Sequence, residues 1–375
     1  MHDRRDCALQ GPPEPSSDHS LDDDDPWMLG LAGLLAKNIA GDLGGGTLVE
    51  PSSDEPDRAS RGLVPAPTPR EHERLELVLP RPGLVIDGER RLTRLIGAGS
   101  FGSVFEALQL DLDRLEAIKF LHERWMDDAC LDVRTRFLEE ARVMAKMRSP
   151  YLAEIYDFGT LPGGLPFFVM ERLEGKTLRA RLREREELSL HEFFEVAAEI
   201  LGGLAHAHAH GVVHRDVKPE NIFLAAHGVK LIDFGLAKSS AMTATGERAM
   251  GTPLYMAPEI LAGSKCPDAL NDVYGASVVM YEMLSGSLPF RWPGLGRRAL
   301  AQVVARERPL PLDAQRPGIP PGLDALIQRG LAKEAHDRPR TALEMLAHLQ
   351  EIRLGWLEAD APTSSRLAAR DLRPR

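Results

Sequence analysis

Hydrophobic positions divide residues 88–352 into a first part with strand periodicity and a second part with helical periodicity. In the first part, Val104–Leu108 and Leu115–Phe120 are short apolar runs typical of strands, and the stretch between them suits a hairpin turn. Apolar residues then recur at helical spacing. The helix face that they predict is formed by Val133, Phe137, Ala141 and Met144.

Helical patterns dominate after about residue 170. Helices are expected near Leu178 and after Ser189, where Ser189 and Glu192 have the spacing of a capping box and Gly211 ends the segment. Further apolar helical patterns cover Val273–Leu284, Leu323–Leu331 and Ala342–Leu354. Strands followed by helices predict an α+β fold. We assign a small β-rich lobe with one helix to residues 88–170 and a large, mainly helical lobe to residues 174–352.

Candidate chemistry is concentrated in the segment His214–Asn221, called the catalytic loop below, and in Asp233, which begins an Asp-Phe-Gly triplet. Asp216 can accept a proton from an attacking hydroxyl, and Lys218 can neutralise a transferring phosphate. Asn221 and Asp233 can hold Mg²⁺, for which Mn²⁺ is an alternative. These residues together predict transfer of a phosphoryl group from ATP to a hydroxyl.

The same chemistry requires a phosphate cover and a cation upstream, and both are present. The run from Ile96 to Val104 has the pattern G-x-G-x-x-G-x-V, with glycines that let backbone N–H groups approach phosphates. Dinucleotide-binding folds have a similar pattern but open a helix after the glycines, whereas a strand is predicted here. The next predicted strand carries Lys119, for which Glu140 or its neighbour Glu139 is the expected acidic partner. The phosphate-binding glycines are Gly97, Gly99 and Gly102.

With these motifs in this order, residues 88–352 resemble a eukaryotic-type serine/threonine protein kinase of the bacterial kind, with its two-lobe fold. The resemblance assigns the ion pair with Lys119 to Glu140, within Phe-Leu-Glu-Glu-Ala. It implies a gatekeeper at Met170 and adenine hydrogen bonds from the backbone of Glu171 and Leu173. The residues that it places around the adenine ring are Val104, Ala117 and Phe223, and the inter-lobe stack contains Met144, His214 and Phe234.

The resemblance also extends to the segment Gly251–Glu259, the docking loop, which ends in Ala-Pro-Glu. Glu259 is expected to pair with Arg338, and Asp272 to bind the backbone of the catalytic loop, with His208 at a packing position. In this family Lys218 with Thr252 favours Ser and Thr acceptors, and Leu236 favours Ser over Thr. Activation by phosphorylation, with the phosphate paired to Arg215, could fall on Ser239, Ser240, Thr243 or Thr245, and Thr243 or Thr245 is preferred.

Substrate selectivity is less sharply indicated. Glu220 and Glu282 match carboxylates that bind arginine upstream of the phosphorylated residue in basophilic relatives. Thr177 stands where a third carboxylate would be expected, so the arginine preference rests on two positions.

Simpler interpretations exist for each residue taken alone. Lys119 also fits a solvated strand lysine, Asp216 a loop salt bridge and Asp233 a turn former. Their joint occurrence in order favours catalysis. The alternative class is a catalytically weak kinase-fold scaffold or adaptor, which would typically have lost one of these three residues.

Charge and cysteine content narrow the setting. The net charge of −10 argues against a nucleic-acid binder. Three scattered cysteines indicate free thiols rather than a disulfide framework. No run is long enough for a bilayer span and no signal peptide is apparent, so the sequence predicts a cytoplasmic protein that acts on protein substrates.

Outside the lobes, residues 1–80 form an acidic leader rich in Pro, Ser, Gly and Asp, which predicts disorder. A short helix over 26–39 is the exception, and its Trp27–Leu35 segment is a hypothetical docking site for the kinase lobes or for a partner. A transient helix without a partner fits equally well. Residues 357–375 are expected to form a polar, frayed tail.

Overall fold

The computed structural model describes residues 77–99, 101–126, 131–184, 188–235, 253–264, 268–291 and 297–360. The predicted leader helix 26–39, with its Trp27–Leu35 segment, lies outside these residues. So do Leu236, Thr243, Thr245 and Thr252. The statements below concern only the described part of the chain.

The first lobe is built on an antiparallel sheet of six strands in the order β1-β2-β3-β4-β6-β5. One face of this sheet covers an apolar cluster that includes the fully buried residues Ile118, Phe120 and Val169. The strands are β1 Val85–Ile86, β2 Arg90–Ala98, β3 Gly102–Gln109, β4 Arg114–Leu121, β5 Ile155–Thr160 and β6 Pro166–Glu171.

Described residues that precede the predicted start of the small lobe at residue 88 also contact its sheet. Val78, within the predicted leader, donates its backbone N–H to Pro162 O at 3.1 Å, and β1 lies before residue 88. Val78 and Leu84 also pack against the apolar cluster. Residues before 88 therefore also contribute to the packing of this lobe, because apolar side chains in a polar stretch gain burial only once the sheet exists.

One helix, α1 Leu131–Lys146, packs on β5 and β6. The ring centroids of Phe137 and Phe168 lie 5.1 Å apart across this contact. Its predicted apolar face is confirmed, since Val133, Phe137, Ala141 and Met144 are all buried. This packing fixes the orientation of α1 and hence of its acidic residues.

The second lobe is mainly helical, with a three-stranded sheet in the order β7-β8-β9. Ser189 caps α3 by accepting a hydrogen bond from Glu192 N at 3.1 Å, and Gly211 follows the helix with a φ of 72°. The strands are β7 Gly175–Thr177, β8 Ile222–Ala225 and β9 Gly228–Leu231. The helices are α2 Leu178–Arg183, α3 Leu190–Ala209, α4 Pro258–Leu261, α5 Ala269–Ser285, α6 Arg297–Arg306, α7 Leu323–Gly330 and α8 Ala342–Asp360.

Two helices differ from the sequence-based expectation. Helix α6 was not predicted. Helix α8 continues through Asp360, past the predicted start of the polar tail at Leu357. The ring of Trp356 stacks on Phe194 of α3 with centroids 5.5 Å apart, and this contact lies beyond the apolar pattern that suggested an end at Leu354. Among the described helices, none combines the length and the apolar character needed to cross a bilayer.

Close helix packing predicts different outcomes for two glycine substitutions. A Cβ added at Gly330, where α7 meets α5, would lie 2.0 Å from Ser277 Oγ, whereas a Cβ at Gly355 of α8 would meet nothing within 4 Å. Gly330→Ala should therefore lower the free energy of unfolding by about 1–3 kcal/mol through overpacking. Gly355→Ala, the matched control, should raise it by about 0.5–1 kcal/mol through helix propensity. Urea unfolding of both variants measures the difference, and equal effects would contradict the packing argument.

Candidate active site

The turn between β2 and β3 contains the glycines expected to approach phosphate. Gly99 N donates to Gly102 O at 2.9 Å, and the pairing of β2 with β3 shifts register between Leu95 and Gly97. A Cβ on Gly102 would lie 2.1 Å from Phe120 O on β4, so no larger residue fits at that position. The turn is thus a tight backbone structure held against the next strand.

An aromatic contact that the sequence did not suggest supports this turn. Phe101 is buried and stacks on Trp125, with centroids 5.3 Å and planes 7° apart. The Nε2 atom of His122 lies 2.8 Å from Gly99 O. Both contacts come from the segment after β4, and Trp125 could have been suspected only as an isolated large apolar residue in a polar stretch.

The expected adenine-side residues are distributed over both sheets. Ala117 on β4 is the cross-strand partner of Met170 on β6, and Val104 on β3 is the partner of Lys119. Phe223 lies on β8 opposite Thr177. Val104, Met170, Glu171, Leu173 and Phe223 are partly buried, whereas Ile96 is exposed.

The carboxylate of Glu171 is used to fix the start of the second lobe. It accepts hydrogen bonds from Lys230 Nζ at 2.7 Å and from Glu154 N at 3.0 Å. The backbone N–H of Glu171 donates to Glu154 O at 2.9 Å. These bonds hold the segment that joins the two sheets.

Lys119 is a buried cation with two acidic neighbours. Its Nζ lies 2.8 Å from Asp233 Oδ1 and 3.9 Å from Glu140 Oε1. Burial favours the neutral amine, but Asp233 and Glu140 outweigh it, so the pKa of Lys119 is raised above its ordinary value. Glu140 is 3% exposed and faces the lysine, which confirms it over Glu139 as the partner on α1.

The catalytic loop brings three predicted residues together. Asp216 Oδ2 accepts a hydrogen bond from Asn221 Nδ2 at 2.6 Å and lies 3.0 Å from Lys218 Nζ. Asn221 Nδ2 also donates to Asp216 O at 2.8 Å. One carboxylate is therefore oriented by an amide and an ammonium from the same short loop.

Left-handed backbone conformations shape this region. Arg215 has a φ of 67° and Asp233 a φ of 58°, which are costly for residues other than glycine. Gly235 N donates to His214 O at 2.7 Å, and the rings of His214 and Phe234 lie 4.4 Å apart. These contacts tie the Asp-Phe-Gly triplet to the catalytic loop.

Asp272 on α5 anchors the loop, as predicted. Its carboxylate accepts hydrogen bonds from the backbone N–H groups of His214 at 2.7 Å and Arg215 at 2.8 Å. The family resemblance assigned His208 only a packing position, but its Nε2 lies 2.8 Å from Asp272 Oδ2. The carboxylate is 1% exposed, so these partners replace the water that it would otherwise bind.

The predicted pair of Glu259 and Arg338 is confirmed. Nη1 and Nη2 of Arg338 each donate to one oxygen of Glu259 at 2.8 Å, in a bidentate arrangement. Burial acts to raise the pKa of Glu259, but Arg338 outweighs it, so this pKa is lowered from its ordinary value. The pair joins the end of the docking loop to the segment before α8.

A second guanidinium, that of Arg179 on α2, was missed by sequence analysis. It binds both Glu220 and Glu282, at 2.8 Å and 2.7 Å. Thr177, at the position where a third carboxylate was considered, caps α2 by accepting a hydrogen bond from Ala180 N at 3.2 Å. Both carboxylates of the predicted arginine-binding pair, Glu220 and Glu282, are therefore already bound to a cation of the protein itself.

The comparisons with known proteins agree with this geometry. The family described as the protein kinase domain matches residues 90–349. The chain is 37% identical over 301 residues to the serine/threonine-protein kinase PknL of Mycobacterium tuberculosis. This alignment covers 76% of this chain and 72% of that protein. It is 34% identical over 285 residues to the serine/threonine-protein kinase pkn3 of Myxococcus xanthus, covering 72% and 51%. The crystal structure of the M. tuberculosis PknI kinase domain aligns with a TM-score of 0.58 and 25% identity over 73% of this chain and 100% of that one.

The chain therefore belongs to the protein kinase family. Its relatives show it to be a eukaryotic-type serine/threonine protein kinase of the bacterial kind, so the α+β two-lobe fold and the enzyme class predicted from the sequence are confirmed.

The burial of Arg338 predicts an acid-dependent stability difference. Arg338 is 1% exposed, so Glu259→Gln leaves its charge uncompensated and should lower the free energy of unfolding at pH 7 by about 3 kcal/mol. Because the folded-state pKa of Glu259 is lowered, its contribution is complete above the unfolded value of 4.5 and is lost as the pH falls through the folded value. The gap between wild type and variant should narrow below pH 4.5, as measured by urea unfolding at several pH values. A gap that is constant from pH 7 to pH 3 would contradict this account.

Proposed function

We propose that this protein kinase transfers the γ-phosphate of ATP to Ser and Thr hydroxyls of protein substrates, including its own, in intracellular signalling. The observation that carries the proposal is the orientation of Asp216 by Lys218 and Asn221, next to the Lys119–Asp233 pair. A positioned carboxylate, a buried cation and a second carboxylate are what phosphoryl transfer needs from the protein.

Asp216 is proposed to act on the acceptor hydroxyl. Its Oδ2 accepts a hydrogen bond from Asn221 and lies near Lys218, so two side chains of the same loop orient the carboxylate. In this role it accepts the hydroxyl proton as the oxygen attacks phosphorus. Lys218 then serves to stabilise negative charge on the transferring phosphate.

The donor set at the site suits a hard divalent cation. The carboxylate of Asp233 and the side-chain oxygen of Asn221 are the ligand types that Mg²⁺ prefers, and Mn²⁺ accepts the same set. When bound, Mg²⁺ neutralises charge on the phosphate oxygens. Lys119, held by Glu140 and Asp233, is the residue proposed to bind the α- and β-phosphates.

The nucleotide is proposed to lie between the glycine turn and the segment after β6. Gly97, Gly99 and Gly102 would cover the phosphates, with Ile96 and Val104 at the ends of the turn. Ala117 and Phe223 would contact the adenine ring beside the gatekeeper Met170. Hydrogen bonds to adenine would come from the backbone of Glu171 and Leu173.

The proposed setting is the cytoplasm, where ATP is the phosphoryl donor and scattered cysteines stay reduced. Protein substrates would bind along the docking loop. The Trp27–Leu35 segment remains a proposed docking element for the kinase lobes or for a partner.

Removing the proposed base should abolish transfer while sparing nucleotide binding. Asp216→Asn keeps the volume of the side chain but cannot accept the hydroxyl proton, and kcat should fall about a thousandfold. Transfer of labelled phosphate to a Ser peptide and to the protein itself measures the effect, with ATP affinity measured by calorimetry.

The matched control is Asp313→Asn, which changes an exposed carboxylate of the large lobe and should leave kcat unchanged. Full transfer by Asp216→Asn would refute the assigned role. Nucleotide binding without transfer by the wild type would instead favour the scaffold alternative.

The metal role of Asp233 predicts a cation-dependent change in nucleotide binding. In wild type, Mg²⁺ should add to the rise in melting temperature caused by ATP, because a ligand that binds only the folded state stabilises it. In Asp233→Asn one ligand oxygen has lost its charge, so most of this additional rise should disappear. Asp313→Asn again provides the control, and an unchanged Mg²⁺-dependent rise in Asp233→Asn would show that this carboxylate does not hold the cation.

A further inference from the structure

Arg179 joins four elements of the large lobe through one guanidinium group. Its Nε donates to Glu220 Oε1 at 2.8 Å, and its Nη1 donates to Glu282 Oε1 at 2.7 Å. Its Nη2 donates to the hydroxyl of Tyr255, which in turn donates to Glu282 Oε2 at 2.5 Å. The cluster connects α2, the catalytic loop, the docking loop and α5. Glu220 and Glu282 are called the acidic pair below.

Charge and burial indicate that the guanidinium of Arg179 is stably bound to the acidic pair. The side chains of Arg179 and Glu282 are 19% and 11% exposed, whereas that of Glu220 is 44% exposed. Burial acts to lower the pKa of Arg179, but its hydrogen bonds to Glu282 and Glu220 outweigh it and the pKa is raised. The guanidinium therefore stays charged and neutralises the more buried member of the acidic pair.

The cluster contains residues of both the catalytic loop and the docking loop. Glu220 belongs to the turn Pro219–Asn221, one residue before the amide that orients Asp216. Tyr255 belongs to the turn Pro253–Tyr255 of the docking loop. A peptide whose hydroxyl reaches Asp216 would therefore lie close to the acidic pair.

We infer that Arg179 is a specificity-determining residue that occupies the acidic pair and removes the selection for arginine upstream of the phosphorylated residue. The inference rests on the proposed function, since it concerns substrates of the same site. A substrate guanidinium would have to displace Arg179 from Glu282 and Tyr255. Because the guanidinium of Arg179 binds both carboxylates, the cluster keeps a net charge of only about one negative unit, so an added substrate arginine gains little.

Removing Arg179 should restore the selection. Arg179→Ala leaves two carboxylates without their cation beside an open space, and a substrate arginine supplies the missing charge-assisted hydrogen bonds. The measured quantity is the ratio of kcat/KM for a Ser peptide with arginine upstream to kcat/KM for the same peptide with alanine there. Arginine is placed in turn at each of the four positions before the serine.

The full-length wild type should give a ratio of about one at each position, and Arg179→Ala a ratio of about ten at one of them, as one charged hydrogen bond implies. Arg181→Ala is the matched control. Arg181 lies on the same helix and binds Glu192 with two hydrogen bonds of 2.9 Å, so its loss should leave the ratio at one. Adding Glu282→Gln to Arg179→Ala should return the ratio toward one, which a purely structural role of Arg179 would not do.

Each outcome decides the inference. A wild-type ratio near ten, or an unchanged ratio in folded Arg179→Ala, overturns it. If Arg179→Ala does not fold, Arg179→Lys replaces it, because an ammonium keeps the charge beside Glu282 but cannot reproduce the planar fork that reaches Glu220. Its ratio should then exceed that of the wild type, and an equal ratio overturns the inference. Absence of transfer by the wild type to any peptide or to itself contradicts the proposed function rather than the role of Arg179.

Discussion

The carboxylate of Asp272 holds the catalytic loop in a conformation that the loop would not adopt alone. Arg215 has a positive φ, which costs a residue other than glycine about 1–3 kcal/mol and persists only where its surroundings enforce it. Asp272 enforces it by accepting the backbone N–H groups of His214 and Arg215, with His208 beside the same carboxylate. Because Asp216 is the next residue, the orientation of the candidate base depends on a buried carboxylate from helix α5.

The ammonium of Lys119 connects the small lobe to the catalytic residues of the large lobe. Lys119 on β4 lies closer to Asp233 of the large lobe than to Glu140 of its own lobe. The ring contact between Phe234 and His214 then joins Asp233 to the loop that Asp272 holds. Charges from three separate parts of the chain are thus gathered in one site, which no local segment could achieve.

The two arginine clusters of the large lobe illustrate different uses of the same side chain. Arg338 binds one carboxylate, that of Glu259, together with backbone carbonyl groups, and is almost fully buried. Its role is to hold the docking loop to the helical lobe. Arg179 binds carboxylates from two elements and remains partly open to solvent, so it shapes a surface that substrates meet.

From the sequence alone one obtains the lobes, most helices and the order of the candidate site residues, because apolar periodicity and closely spaced motifs are local properties. The resemblance pointed to Glu140, but only the packing of α1 excluded the neighbouring Glu139, and the extent of α8 required the contact between Trp356 and Phe194. The sequence also did not predict that Arg179 binds Glu220 and Glu282, since these partners lie 41 and 103 residues further along the chain. Such pairings depend on distances that exist only after the chain has folded, when the cost of desolvating each charge selects the partner that compensates it.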